Sequence, residues 1–180
     1  GVITGVTAGI IYTFIRKRGQ LLMYLDLISP ALMIGLAFGR IGCFLNGCCW
    51  GAECSPSFPL GVRFPEGSIA YQEAVSSGKA VSFVHPVQLY ESAVAVGIFI
   101  FLNSLLKKRM KPGTVFMWLF LTYPVWRFIA EGVFRGDPGR DAGGLFGMTF
   151  SQTVSALVFG IALVAYYFYF MPAWKKQSTT

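Results

Sequence analysis

Met148-Thr149-Phe150-Ser151-Gln152-Thr153-Val154-Ser155-Ala156-Leu157-Val158-Phe159-Gly160-Ile161-Ala162-Leu163-Val164-Ala165-Tyr166-Tyr167-Phe168-Tyr169-Phe170-Met171 runs for 24 residues without a charged side chain. As a helix rising about 1.5 Å per residue it is long enough to cross the ~30 Å hydrocarbon layer of a bilayer. The stretch fixes the expected fold class, an all-α polytopic bundle of transmembrane helices. Four weaker apolar segments precede it: Gly1–Ile15, Gln20–Gly39, Val87–Leu106 and Gly113–Ala130. These carry Asp26, Glu91 and Arg127 inside or near their ends. A charge at such a depth is tolerated only where it faces the bundle interior, a cavity or an interface.

Composition agrees with this reading. Of 180 residues, 54% are hydrophobic and 13% charged, too few charges to build a soluble surface. The net charge of +7 is clustered between apolar spans, which argues against a nucleic-acid partner. Arg16, Lys17 and Arg18 follow the first segment, Lys107, Lys108, Arg109 and Lys111 the third, and Lys175 and Lys176 the fifth, so the clusters hold nine of the fifteen basic residues. With alternating helices all three fall on one side, which the positive-inside rule makes cytoplasmic. The chain starts without Met inside an apolar stretch, and is expected to be the C-terminal part of a longer protein. Residues 1–180 are expected to form a single transmembrane catalytic domain, with residues 48–84 as an outer-face loop region within it.

Four groups of polar residues converge on that outer face. The first is Gly39-Arg40-Ile41-Gly42-Cys43-Phe44-Leu45-Asn46-Gly47-Cys48-Cys49-Trp50-Gly51. An arginine at a membrane boundary reads as a site residue. The glycines either permit tight turns that present N–H groups to an anion or serve only to pack helices. The second group, His85-Pro86-Val87-Gln88-Leu89-Tyr90-Glu91, opens a helix, with Pro86 suited to its first turn. In the third, Arg127, Glu131 and Arg135 follow at i, i+4 and i+8. One carboxylate cannot neutralise two guanidiniums. Either the surplus charge holds an anion such as phosphate, which a guanidinium fork fits, or Arg135 snorkels to lipid headgroups beside a structural ion pair.

The fourth group is Cys43, Cys48, Cys49 and Cys54. Their C-x4-C-C-x4-C spacing is a weak metal signal, and no metal is expected. On an oxidising face disulfides are favoured, joining Cys43 or Cys48 to Cys54 or Cys49, because a Cys48–Cys49 bridge would close a strained ring.

Taken together, Gly39-Arg40-Ile41-Gly42, Phe44-Leu45-Asn46-Gly47, Trp50-Gly51, His85-Pro86-x-Gln88-Leu89-Tyr90-Glu91, Arg127-Phe128-x-x-Glu131-x-x-x-Arg135 and Met148-Thr149-x-x-Gln152 resemble the prolipoprotein diacylglyceryl transferase family in order and spacing. The resemblance implies a bacterial inner-membrane enzyme of seven helices, five of them in this chain, with its site on the periplasmic side. It implies transfer of the diacylglyceryl group of phosphatidylglycerol to the lipobox cysteine of a prolipoprotein, giving a thioether and glycerol phosphate. Arg40, Asn46, Gly47 and Gly51 would bind the lipid headgroup. Arg127, Glu131, Arg135 and His85 would carry the chemistry, supported by Gln88, Tyr90 and Glu91. A histidine upstream of residue 1 competes with His85 for the role of base. Cys43 and Cys48 depart from the family, which usually has an asparagine and an acidic residue there, and a disulfide is expected to replace them in holding the Arg40 loop. A monomer working without a cofactor is expected. The rival readings are a membrane thiol–disulfide oxidoreductase using the cysteines, and an inactive lipid-binding relative.

Overall fold

In the computed structural model, residues 20–78, 80–108, 110–135 and 147–177 are described, with side chains as far as Tyr169. The segment expected over Gly1–Ile15, together with Arg16, Lys17 and Arg18, lies outside them. The described helices are α1 (Leu21–Leu45), the short α2 (Ile69–Ser76), α3 (Val87–Leu106), α4 (Thr114–Ala130) and α5 (Phe150–Gln177); a π-helical turn, Glu131–Arg135, extends α4. Among the described residues, three helical stretches are long and apolar enough to cross a membrane: Leu21–Leu45, Val87–Leu106 and Phe150–Tyr169. The shorter α4 packs among all three. The chain is a polytopic helical membrane protein, as its apolar runs predict.

Helix α1 lies mainly against α3, and α4 mainly against α5. Small residues allow the first pair to approach closely, with Ala37 and Ala95 almost wholly buried and the Ser92 hydroxyl donating to the Ala37 carbonyl at 3.0 Å. Met33, Ile98, Leu102, Leu105, Val115 and Leu119 form the apolar core. Leu27, Phe38, Leu157, Ile161 and Phe168 point outward, where a bilayer would solvate them.

Asp26 justifies its place in an apolar helix by capping another one. Gly113 precedes α4 at φ 91°, and having no side chain it leaves the first N–H groups of that helix without a cap. The buried Asp26 carboxylate accepts from Gly113 N–H at 2.6 Å and from Phe116 N–H at 2.8 Å. An anion at a helix N-terminus also meets the positive end of the macrodipole. Asp26 thereby ties α1 to α4 at the end of the bundle that carries Lys107 and Lys108.

At the opposite end, α1 runs six residues past its expected limit at Gly39, so Arg40 sits on a helix instead of in a turn. Gly39 and Gly42 are helical and a Cβ on either would meet nothing, which removes the tight-turn reading for those two. The turn comes at Gly47, φ 64°, whose N–H bonds Phe44 O while Cys48 N–H bonds Cys43 O. This is a Schellman ending, with Asn46 as C-cap.

Candidate functional site

The arginine end of the bundle is built from four elements. Arg40 comes from the last turns of α1, Glu91 from the second turn of α3, Arg127 from the end of α4, and Glu131 and Arg135 from the π turn. Glu91 has a fully buried side chain. Its Oε1 accepts from Arg40 Nη2 at 3.0 Å and from the Tyr123 hydroxyl at 2.9 Å, while Oε2 faces Arg127 Nη1 across 3.9 Å. Glu131 pairs with Arg127 at 3.2 Å and with Arg135 at 4.0 Å, so it lies between two guanidiniums as the spacing predicts. Among the described residues, three guanidinium groups thus face two buried carboxylates, leaving one positive charge in surplus.

Several polar atoms around this network are buried without a hydrogen-bond partner among the described residues: Arg40 Nε, Arg127 Nη1, Arg135 Nε and Nη2, and Trp126 Nε1. These five are donors, which the oxygens of an anion would satisfy; the acceptor Glu91 Oε2 is buried without a hydrogen bond as well, facing Arg127 Nη1 across 3.9 Å, so donors outnumber acceptors among the unmet groups but do not make up all of them. Burial, and after it the neighbouring Arg127, pulls the Arg135 pKa below its ordinary value, with Glu131 and Glu91 opposing; Arg135 remains a cation. A cavity of about 420 Å³ between α1, α4 and α5 is lined by Leu32, Met33, Phe120 and Val154, with Arg127 and Ser151 also in its wall. It offers an apolar body with a cationic group beside it.

The start of α5 is fixed to this site by a capping box. Gln152 N–H bonds Thr149 Oγ1 at 3.2 Å and Gln152 Oε1 accepts from Thr149 N–H at 3.0 Å. That exchange is the physical content of the Thr149-x-x-Gln152 motif. Gln152 also lies against the π turn, where a Cβ on Gly132 would come within 2.9 Å of its Nε2. Ser151, the residue before Gln152 in the same first turn of α5, accepts from Arg127 Nη2 at 3.3 Å.

The remaining expected site residues divide. Gly51 is packed so closely that a Cβ would lie within 2.9 Å of the carbonyl oxygens of both His85 and Phe134; its N–H bonds His85 O at 2.9 Å. Gln88 is buried and donates from Nε2 to Cys48 O at 2.6 Å, tying the turn after α1 to α3. Asn46 is exposed, and its part is the backbone cap of α1. His85 stands apart from the charged network. Its ring packs edge-on against Phe58 and Phe134, centroids 4.8 and 5.6 Å away, and beside Tyr90 at 6.3 Å. Tyr90 joins the same aromatic group through Phe134 at 5.2 Å.

All four cysteines are free in this structure. The Schellman ending explains their arrangement: it sets Cys48 beside Cys43, and Cys49 follows at φ 60°. The sulfurs of Cys43, Cys48 and Cys49 lie within 4.8 Å of one another. Cys54 is outside this group, pinned by its N–H to Phe83 O at 2.8 Å and with its sulfur against Gly61.

Sequence reasoning missed Tyr123, Trp126 and Ser151. Tyr123 is one helical turn before Arg127 on the same face, so the i, i+4 rule that linked Arg127 to Glu131 could have found it. Ser151 sits inside a recognised motif, but at a position given no weight.

Comparison with known proteins gives one consistent result. The family model described as prolipoprotein diacylglyceryl transferase matches residues 1–168. A protein of Clostridium perfringens named phosphatidylglycerol–prolipoprotein diacylglyceryl transferase 2 is 31% identical over 163 residues, 91% of this chain and 59% of the relative. Proteins named phosphatidylglycerol–prolipoprotein diacylglyceryl transferase from Clostridium tetani and Clostridium botulinum are 35% and 33% identical, over 71% and 94% of this chain and 47% and 61% of their own lengths. The chain therefore spans about half to three-fifths of the curated relatives it matches.

Proposed function

Because the chain belongs to the prolipoprotein diacylglyceryl transferase family, we propose that its whole protein transfers the diacylglyceryl group of phosphatidylglycerol to the lipobox cysteine of a prolipoprotein, in the bacterial inner membrane. The observation that carries the reading is the arginine network with its surplus charge and unmet donors, beside an apolar cavity. A lipid with a phosphate headgroup has both complements, chains for the cavity and an anion for the guanidiniums.

In the proposed reaction the substrate thiolate attacks the glyceryl carbon that bears the phosphate. A carbon–sulfur bond forms, the carbon–oxygen bond breaks, and the electron pair leaves on glycerol phosphate. Negative charge grows on the departing phosphate. Guanidiniums already fixed by Glu91 and Glu131 stabilise that charge without reorganising, and do so more strongly in a poorly hydrated site. Arg40 and Arg127 hold the headgroup, and Arg135 with Glu131 completes the field. Gly51, Gly47 and Asn46 shape the turn behind it. His85 takes a positioning role, because its aromatic surroundings and the Gly51 N–H on its carbonyl favour packing over proton transfer. Lys107 and Lys108 lie at the opposite end of α3 from Glu91, which under the positive-inside rule supports an orientation with the site and residues 48–84 toward the periplasm. The protein is proposed to act as a monomer, with no cofactor.

The oxidoreductase reading is not favoured, since it leaves the arginines without a role. The test is an assay of the full-length protein with phosphatidylglycerol and a lipobox peptide, following the mass gain of the peptide. Arg40→Ala and Arg127→Ala are each expected to abolish transfer while the protein stays in the membrane. Wild-type rates in both would overturn the assignment.

A further inference from the structure

We propose that Cys43, Cys48 and Cys49 form a three-thiolate site for one soft, thiophilic metal ion of the Cu(I) or Zn(II) class. Two features of the backbone and one side-chain contact converge on it. Cys43 is the third residue from the end of α1, and the Schellman hydrogen bond from Cys48 N–H to Cys43 O, 3.0 Å, places the two side chains together. Cys48 Sγ lies 3.5 Å from the same carbonyl, so its position is held. Among the described residues, Cys49 is the one non-glycine residue at positive φ. A left-handed backbone at such a residue is costly and tends to mark a functional constraint. Here it accompanies the third sulfur's arrival beside the other two.

The dimensions suit an ion. The three sulfurs lie within 4.8 Å of one another. An ion in their plane with metal–sulfur bonds of about 2.3 Å needs sulfurs about 4.0 Å apart, so the triangle closes by less than about 1 Å, within reach of small side-chain rotations. Soft thiolate sulfur selects copper(I) and zinc over the harder cations. Two of the three cysteines are partly buried and one is exposed, which gives both a shaped pocket and an entry path. Arg40, one helical turn before Cys43, is in electrostatic range of Cys43 and Cys49 and offsets the negative charge of the bound thiolates. Gln88 holds Cys48 from the far side through its carbonyl.

The experiment uses the full-length protein in detergent, reduced and freed of reductant without air, and titrated with Cd²⁺ as the spectroscopic probe. A near-ultraviolet thiolate-to-metal absorption band that saturates at one ion per chain is expected. Cys43→Ser, Cys48→Ser and Cys49→Ser should each lose the band, and Cys54→Ser should keep it. Reversible methylthiolation of the wild-type thiols supplies a control that needs no substitution, abolishing the band until the caps are removed. Absence of the band in reduced wild-type protein overturns the proposal, as does its dependence on Cys54. A disulfide joining two of the three cysteines in protein extracted under thiol-blocking conditions overturns it too, in favour of a covalent staple. Binding is read directly, so the result stands or falls separately from the transferase assignment.

Discussion

Glu91→Gln keeps the shape of the side chain at the centre of the network and removes only its charge. The glutamine oxygen can still accept from Arg40 and Tyr123, but its amide nitrogen then faces Arg127, a donor set against a donor. Two unit charges 3.0 Å apart attract by about 5 kcal/mol at an effective dielectric of about 20. Part of that is offset by desolvation, and removing one partner of a buried pair costs about 3–5 kcal/mol net. Arg40 and Arg127 keep side-chain exposures of 18% and 17%, which points to the lower end. A loss of about 3 kcal/mol in transition-state stabilisation is roughly a hundredfold in rate. The assay is diacylglyceryl transfer from phosphatidylglycerol to a lipobox peptide by the full-length protein in lipid nanodiscs, with thermal melting measured alongside. A Glu91→Gln protein within about twofold of the wild-type rate and with unchanged melting would refute the reasoning. Combining it with Tyr123→Phe should give a coupling of at least about 0.5 kcal/mol, because both groups meet at one oxygen.

Gly51→Ala drives a methyl group against two backbone carbonyls that cannot yield, and should destabilise the protein by about 1–3 kcal/mol, seen as a lower melting temperature. Thr149→Ala removes half of the capping box and should cost about 1 kcal/mol, read as faster amide exchange over the first turn of α5. Asp26→Asn leaves the α4 N-terminus without its anion and should lower stability by about 1 kcal/mol, measured by denaturant unfolding, although this residue lies far from the arginines. Burial raises the Cys54 thiol above its ordinary pKa, so at mildly alkaline pH it holds less thiolate and should be alkylated more slowly in the folded protein than after denaturation, as mass spectrometry of timed iodoacetamide labelling would measure.

What could be read in advance was what depends on neighbours along the chain. The helices Val87–Leu106 and Thr114–Ala130 fall within one residue of the apolar runs that predict them, because a long, mostly apolar run marks a helix even where it holds a single charge near one end, Glu91 in the first and Arg127 in the second. The Arg127–Glu131–Arg135 alignment follows from helical spacing alone. The apolar run ends at Gly39 in the sequence, whereas the helix continues through Gly39 and Gly42 to Leu45. Glycine is tolerated inside such a helix where its backbone bonds are kept, and the real stop is the left-handed Gly47.

The sequence by itself determined a bundle of apolar helices, a basic side and an arginine-bearing side, and the local pairing at the end of α4. Only the tertiary structure decided that Glu91 joins Arg40 to Arg127, residues 51 positions away in one direction and 36 in the other, that Asp26 caps α4, that three cysteines meet while Cys54 does not, and that His85 lies among aromatic rings. The reason is physical. In a bilayer the lipid is as apolar as the core, so the hydrophobic pattern does not tell a helix which face to turn inward. That rotation is set by small-residue contacts and buried polar pairs between helices, and those pairs exist only once the helices have packed.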